Sequence, residues 1–195
     1  INDFNFQNKK ALIRVDFNVP QDENLKVTDD TRIKAAEPTI SKILKDGGAV
    51  VLMSHLGRPK GEFNDKYALK HIAYKITEIL GVDVIVAEDV IGDDAKQKVA
   101  NLKPGQVLVL ENVRFHAEEE KGDEAFAKAL AAFGDIYVND AFTNLDHQKI
   151  QTYLSVKYGI SLLNASNYVD AAGKTVWNSG LNSQYNTHIT GLGRS

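Results

Sequence analysis

Ala49-Val50-Val51-Leu52-Met53-Ser54-His55-Leu56-Gly57-Arg58-Pro59 is the stretch on which the fold turns. Five apolar residues run without interruption, and the chain then switches at once to polar and turn-forming residues. A strand with one wet face would alternate. A continuous run of this length suits a strand buried on both faces, as in a parallel sheet covered by helices. Four similar runs occur elsewhere: Ala11 to Val15, Val84 to Ala87, Val107 to Leu110 and Ile136 to Val138. Helical spacing fills the gaps between them. Ile33, Ala36, Ile40, Ile43 and Leu44 form one stripe, with Thr28-Asp29-Asp30 as capping candidates and Gly47-Gly48 as the stop. Pro38 falls early enough in this helix to be tolerated, at the expected cost of one helix hydrogen bond. Leu69, Ile72, Ala73, Ile76, Ile79 and Leu80 form a second stripe ended by Gly81. Ala95, Val99 and Leu102 predict a short third helix. Ala125, Ala129, Leu130 and Phe133 predict a fourth, ended by Gly134. Strand alternating with helix predicts an α/β fold: a doubly wound parallel sheet, Rossmann-like, with right-handed crossovers.

Composition narrows the function. The chain has 195 residues, 43% of them apolar and 25% charged, with a formal net charge of −3. A general nucleic-acid binder would be basic, so none is expected as a partner. No apolar run approaches the ~18–20 residues of a membrane span, and no membrane association is expected. The chain has no cysteine, which removes disulfides and thiolate chemistry and fits a cytoplasmic protein. Charge is uneven along the sequence. Residues 1–142 carry 19 Lys/Arg and 24 Asp/Glu, whereas residues 143–195 carry 4 and 2. In the second segment Asn, Ser, Thr and Gly fill 22 of 53 positions. The shift predicts a charged domain over 1–142 and an unrelated polar tail over 143–195.

In a doubly wound sheet, ligands bind beyond the carboxyl ends of the strands. Asp16 and Asn18 follow the first strand, and Arg32 begins the next helix. Ser54, His55 and Arg58 follow the second strand; Asn112 and Arg114 follow the fourth. Residues 1–142 contain 15 lysines but only four arginines. Three of these, Arg32, Arg58 and Arg114, converge in this arrangement on one rim, while Arg14 lies inside a strand and reads as structural. Guanidinium groups drawn from separate connections suit a small ligand with more than one negative group, which planar paired donors recognise well. A metal site from Asp16, His55 and His116 is disfavoured, because no two of them have ligand spacing on one element. His116 to Glu120 reads as a solvated charge run.

Five motifs carry a resemblance. They are Arg14-Val15-Asp16-Phe17-Asn18-Val19-Pro20, Asp30-Thr31-Arg32-Ile33, Ser54-His55-Leu56-Gly57-Arg58-Pro59-Lys60-Gly61, Leu110-Glu111-Asn112-Val113-Arg114-Phe115 and Tyr137-Val138-Asn139-Asp140-Ala141-Phe142. In this order and spacing, residues 1–142 resemble the N-terminal domain of the phosphoglycerate kinase family. The resemblance implies the substrate half of a two-domain glycolytic kinase, with 3-phosphoglycerate or 1,3-bisphosphoglycerate as ligand. It implies that Asp16 and Asn18 bind the hydroxyl and carboxyl end, and that His55, Arg58 and Arg114 bind the distal phosphate. Arg32 is then the catalytic group, stabilising charge on the transferring phosphoryl. An arginine in that role is worth ~10³–10⁵ in rate in other phosphoryl-transfer systems. Mg-ATP or Mg-ADP serves the complete family enzyme through its other domain, and no site for it is expected on this chain.

Two departures qualify the resemblance. The family continues after Asn-Asp-Ala-Phe with a Gly-Thr-Ala-His-Arg-Ala-His-like stretch that supplies a further phosphate-binding arginine. Here Thr143-Asn144-Leu145-Asp146-His147-Gln148-Lys149 stands instead. Losing one charge-assisted contact costs ~1.5–3 kcal/mol. The nucleotide half is also not represented, so the fold is expected to be truncated and the chain inactive alone. The tail predicts a short helix near Ile150 to Tyr158 and short strands at Asn167 to Val169, Thr175 to Trp177 and His188 to Thr190, a mixed helix/strand segment. Tyr153 to Leu162 and Asn186 to Arg194 resemble the end of laminin-G or concanavalin-like modules of bacterial surface proteins. The alternative function is therefore a chimeric or surface-protein fragment with a carbohydrate-binding tail. Should the tail leave apolar surface uncovered, self-association is expected.

Overall fold

The computed structural model describes residues 4–141 and, beyond them, only the backbone of two short strands at 168–169 and 175–177. The expected tail helix, the strand at His188 to Thr190 and the junction at Phe142 lie outside the described residues.

Five strands appear where the apolar runs predict them: β1 (Lys10–Arg14), β2 (Ala49–Met53), β3 (Val84–Val86), β4 (Val107–Val109) and β5 (Ile136–Asn139). All pair in parallel, in the order β3-β4-β2-β1-β5. Between them lie α1 (Thr31–Lys45), α2 (Lys70–Leu80), α3 (Asp93–Asn101), α4 (Ala117–Lys121) and α5 (Glu124–Ala131). Every residue of β2 is buried, as its continuous apolar sequence requires.

Strand order explains which helix covers which face. The connections through α1 and α2 step one way across the sheet, and those through α3 and α5 step back. Right-handed crossovers then place the two pairs on opposite faces. Ile33, Ile40, Ile72 and Ile76 pack with Ile13, Val50, Leu52 and Val109 in one buried layer. Ala95, Val99, Phe126 and Leu130 pack with Leu12, Val51, Leu108 and Tyr137 in the other. The alternation along β1 and β2 supplies both layers from the same strands. The fold is therefore the α/β doubly wound class expected from the sequence. In the tail, β6 (Tyr168–Val169) and β7 (Thr175–Trp177) pair antiparallel with Tyr168 opposite Trp177.

Four local readings need correction. Thr28-Asp29-Asp30 does not cap α1 through Asp30, whose backbone is not extended and whose carboxylate instead pairs with Lys34 at 2.9 Å. Asp29 takes the first amide, accepting from Thr31 N at 2.8 Å. Pro38 is not early in its helix: α1 begins at Thr31, so Pro38 is interior and denies Lys34 O its usual donor four residues on. The α5 stripe is turned by one residue, with Ala125 exposed and Phe126 buried, because the larger ring gains more from leaving water. The charge run after His116 forms α4, and one of its glutamates enters the site described next.

Candidate anion-binding site

The carboxyl ends of β1, β2 and β4 are adjacent in the sheet, so the turns that follow them meet. Hydrogen bonds tie these turns together. Val15 N donates to Met53 O at 3.1 Å. Phe17 N donates to Ser54 Oγ at 2.9 Å, and Gly57 N donates to Asn18 Oδ1 at 2.9 Å. Asn18 is thereby spent in part on holding the second turn.

Asn112 is the knot between the second and fourth turns. Its side chain is fully buried. Nδ2 donates to Leu56 O at 2.7 Å and to Tyr67 O at 2.9 Å, and Oδ1 accepts from Arg114 N at 3.0 Å. Glu111 beside it is also buried and accepts from Leu69 N at 2.8 Å and Asn112 N at 2.7 Å. Burial pushes the Glu111 carboxyl up, and those two amides oppose the shift. Gly57 sits at φ +63°, where a Cβ would lie 2.3 Å from the Tyr67 ring. Glycine is required there by both conformation and space.

The charged groups gather around His55. Arg32 Nη1 pairs with Asp16 Oδ2 in a half-exposed ion pair. Arg14 Nη2 donates to Glu119 Oε1 at 2.9 Å. Arg114 Nε lies 4.0 Å from Glu119 Oε2 and 3.8 Å from Glu120 Oε1, and its Nη1 makes one long bond of 3.5 Å to Gly57 O. The His55 ring is mostly buried, and its Nδ1 has no hydrogen-bond partner among the described residues. Desolvation, followed by the charges of Arg114 and Arg14, pushes His55 down to about 4; Asp16 opposes and Arg32 adds to the shift. Neutral at pH 7, the imidazole can donate to or accept from an incoming anion without adding charge.

Of the residues the sequence places on the rim, the structure gathers Asp16, Arg32, His55 and Arg114. Asn18 is joined to them through Gly57. Arg58 is on the same turn, exposed, with no ion pair among the described residues. Arg14 is more than the expected strand residue. It ends β1, points its guanidinium to Glu119 and contributes to the potential at His55. Glu119 was missed because its partner Arg14 lies 105 residues away in sequence. The local signal was three consecutive glutamates following Arg114. Asp140 fixes the end of β5 beside this site. Its N donates to Arg14 O at 2.8 Å, and its Oδ1 accepts from Thr39 Oγ1 at 3.0 Å. Burial pushes its carboxyl up. Among the described residues no group of three His, Cys, Asp or Glu could hold a metal ion. No described helix is long and apolar enough to cross a membrane.

Similarity to known proteins follows the same lines. The phosphoglycerate kinase of Porphyromonas gingivalis is 48% identical over 181 residues, covering 81% of this chain and 43% of the relative. Phosphoglycerate kinase 3, cytosolic, of Arabidopsis thaliana is 57% identical over 134 residues, covering 69% of this chain and 33% of the relative. The crystal structure of the phosphoglycerate kinase of Pyrococcus horikoshii OT3 superposes with a TM-score of 0.69 at 32% identity, over 83% of this chain and 41% of that one. The chain thus spans well under half the length of these relatives. Residues 146–195 match a domain of unknown function (DUF8202), overlapping the end of a longer match that starts at residue 1. That longer match, the Phosphoglycerate kinase profile, covers residues 1–164, and the chain belongs to the phosphoglycerate kinase family.

Proposed function

We propose that residues 1–142 form the 3-phosphoglycerate-binding half of a phosphoglycerate kinase. The observation that carries this reading is the buried, unpartnered His55 Nδ1 with Arg14, Arg32 and Arg114 acting on its ring. A buried ring nitrogen without a partner is costly, and a multiply charged anion can supply that partner while drawing on guanidinium groups otherwise paired with Asp16 and Glu119. His55, Arg58 and Arg114 take the distal phosphate of 3-phosphoglycerate or 1,3-bisphosphoglycerate. Asp16 and Asn18 take the hydroxyl and carboxyl end.

Arg32 is assigned to the transferring phosphoryl. Its pair with Asp16 has one partner 45% exposed, and a pair so wetted is worth at most about 1 kcal/mol. Arg32 can therefore leave Asp16 for a phosphoryl group at small cost. Phosphoryl transfer is driven by positioning and charge stabilisation, which is what these residues offer. Mg-ATP or Mg-ADP is assigned to the part of the relatives' length that residues 1–195 do not match.

The match over residues 146–195 supports reading the tail as a different module, joined to the kinase portion near Phe142. A carbohydrate-binding role for that tail is the second reading. Calorimetric titration of the 195-residue chain with 3-phosphoglycerate tests the first. Saturable binding, weakened by Arg58→Ala, supports it; binding of a glycan alone, unaffected by Arg58→Ala, supports the second. In a coupled assay with ATP and 3-phosphoglycerate we expect no turnover from this chain alone, and measurable turnover would refute that part.

A further inference from the structure

Glu119 is the one acidic side chain among the described residues that lies within 4.0 Å of two guanidinium groups, one on a strand and one on a turn. Arg14 ends β1, and Arg114 belongs to the turn after β4; β2 and the His55 turn lie between them. Glu119 reaches both from α4. Its two oxygens are used unequally. Oε1 accepts a full hydrogen bond from Arg14 at 2.9 Å, whereas Oε2 stands 4.0 Å from Arg114 Nε, beyond hydrogen-bond distance. Among the described residues, Arg114 Nε is buried without a hydrogen-bond partner, and the one bond of its guanidinium is the 3.5 Å contact to Gly57 O. Glu120 Oε1 also lies 3.8 Å from Arg114 Nε, but from an exposed side chain, so Arg114 is held by the charge of both glutamates, Glu119 being the fixed one, without its donors being consumed. Both members of the Arg14–Glu119 pair are about four-fifths buried, with side-chain exposures of 19% and 21%, so the anchor itself is well fixed.

We propose that Glu119, braced by Arg14, is a positioning residue that holds the Arg114 guanidinium in place for an incoming phosphate. Two guanidinium groups near one imidazole repel each other. A carboxylate fixed between them cancels that repulsion and keeps Arg114 turned in. Because Arg14 has already taken Oε1, Glu119 cannot close onto Arg114 as a bidentate partner and block it. The inference rests on the phosphate-binding assignment of Arg114 made above.

Simple charge counting gives the opposite prediction, which makes the test directional. Glu119→Gln removes a negative charge from an anion site and on that basis should tighten binding. Positioning requires it to weaken binding. We expect 3-phosphoglycerate affinity of the full chain to fall about tenfold in E119Q, the equivalent of one charge-assisted contact. Arg14→Gln frees Glu119 to pair fully with Arg114 and should weaken binding too, and the double variant should bind no worse than Arg14→Gln alone. The Arg114 Nε–H resonance gives a readout independent of ligand: a single sharp signal in the wild type, broadened or shifted in E119Q. Affinity in E119Q equal to or tighter than wild type overturns the proposal. If the wild type binds no 3-phosphoglycerate, the phosphate-binding assignment fails, and the Arg114 signal still decides the positioning: unchanged in E119Q, it refutes it.

Discussion

Replacing Asn112 with alanine should damage this fold more than a single surface-accessible polar change would. The wild-type side chain is fully buried and makes three hydrogen bonds, to Leu56 O, Tyr67 O and Arg114 N. Alanine cannot replace any of them. Two carbonyls and one amide would then be stranded. Each buried unsatisfied group costs ~1–3 kcal/mol, and partial relaxation reduces the sum, so we expect a loss of about 3–5 kcal/mol. That is a large fraction of the ~5–15 kcal/mol by which a domain is stable. Urea denaturation followed by far-ultraviolet circular dichroism measures it, with an unchanged slope showing that the unfolded state is not altered. Asn112→Asp keeps the acceptor but loses both donors and buries a charge, so it should be no milder. A loss below about 1.5 kcal/mol for Asn112→Ala would show that Asn112 is not the knot between the second and fourth turns.

Gly57→Ala should cost about 2–4 kcal/mol: ~1–2 for the left-handed backbone at φ +63°, the rest for a methyl 2.3 Å from the Tyr67 ring. Adding Tyr67→Ala should recover none of the backbone part, and denaturation of the single and double variants separates the two. His55 gives a pH dependence. Its folded value of about 4 lies below its ordinary 6.5, so the native state holds it neutral. The resulting stability is full above about pH 6.5 and lost as pH falls towards 4. Wild type should therefore lose more stability than His55→Gln between pH 7 and 5, and equal losses would contradict the shift. Pro38→Ala should raise stability by about 1–2 kcal/mol by giving Lys34 O a donor within α1, read as a higher urea midpoint; no change would mean that the helix already compensates.

The strands were legible because their signal is local. Ala49–Met53 is apolar throughout and becomes the fully buried β2 without a shift of boundary. Helix α2 was legible for the same reason, its stripe ending at Gly81 in the left-handed conformation. The α5 stripe failed by one position because Ala125 and Phe126 compete for one face, and burial of the larger side chain decides it. That Asp16, His55 and Arg114 follow strands was legible from the apolar runs before them. What joins the rim together was not. Asn112 links three segments through backbone carbonyls and an amide, and no sequence pattern marks which ones. The Arg14–Glu119 pair depends on β1 and α4 being brought together by strand order, which follows from global topology rather than from neighbouring residues.

The most direct measurement is an amide chemical-shift titration of the 195-residue chain with 3-phosphoglycerate. Saturable shifts should concentrate in Asp16–Asn18, Ser54–Arg58 and Asn112–Arg114, the three turns at the carboxyl ends of β1, β2 and β4, with His55 moving to a higher pKa as the anion enters. Shifts at the opposite ends of the strands, or confined to residues 143–195, would contradict an anion site built from these turns.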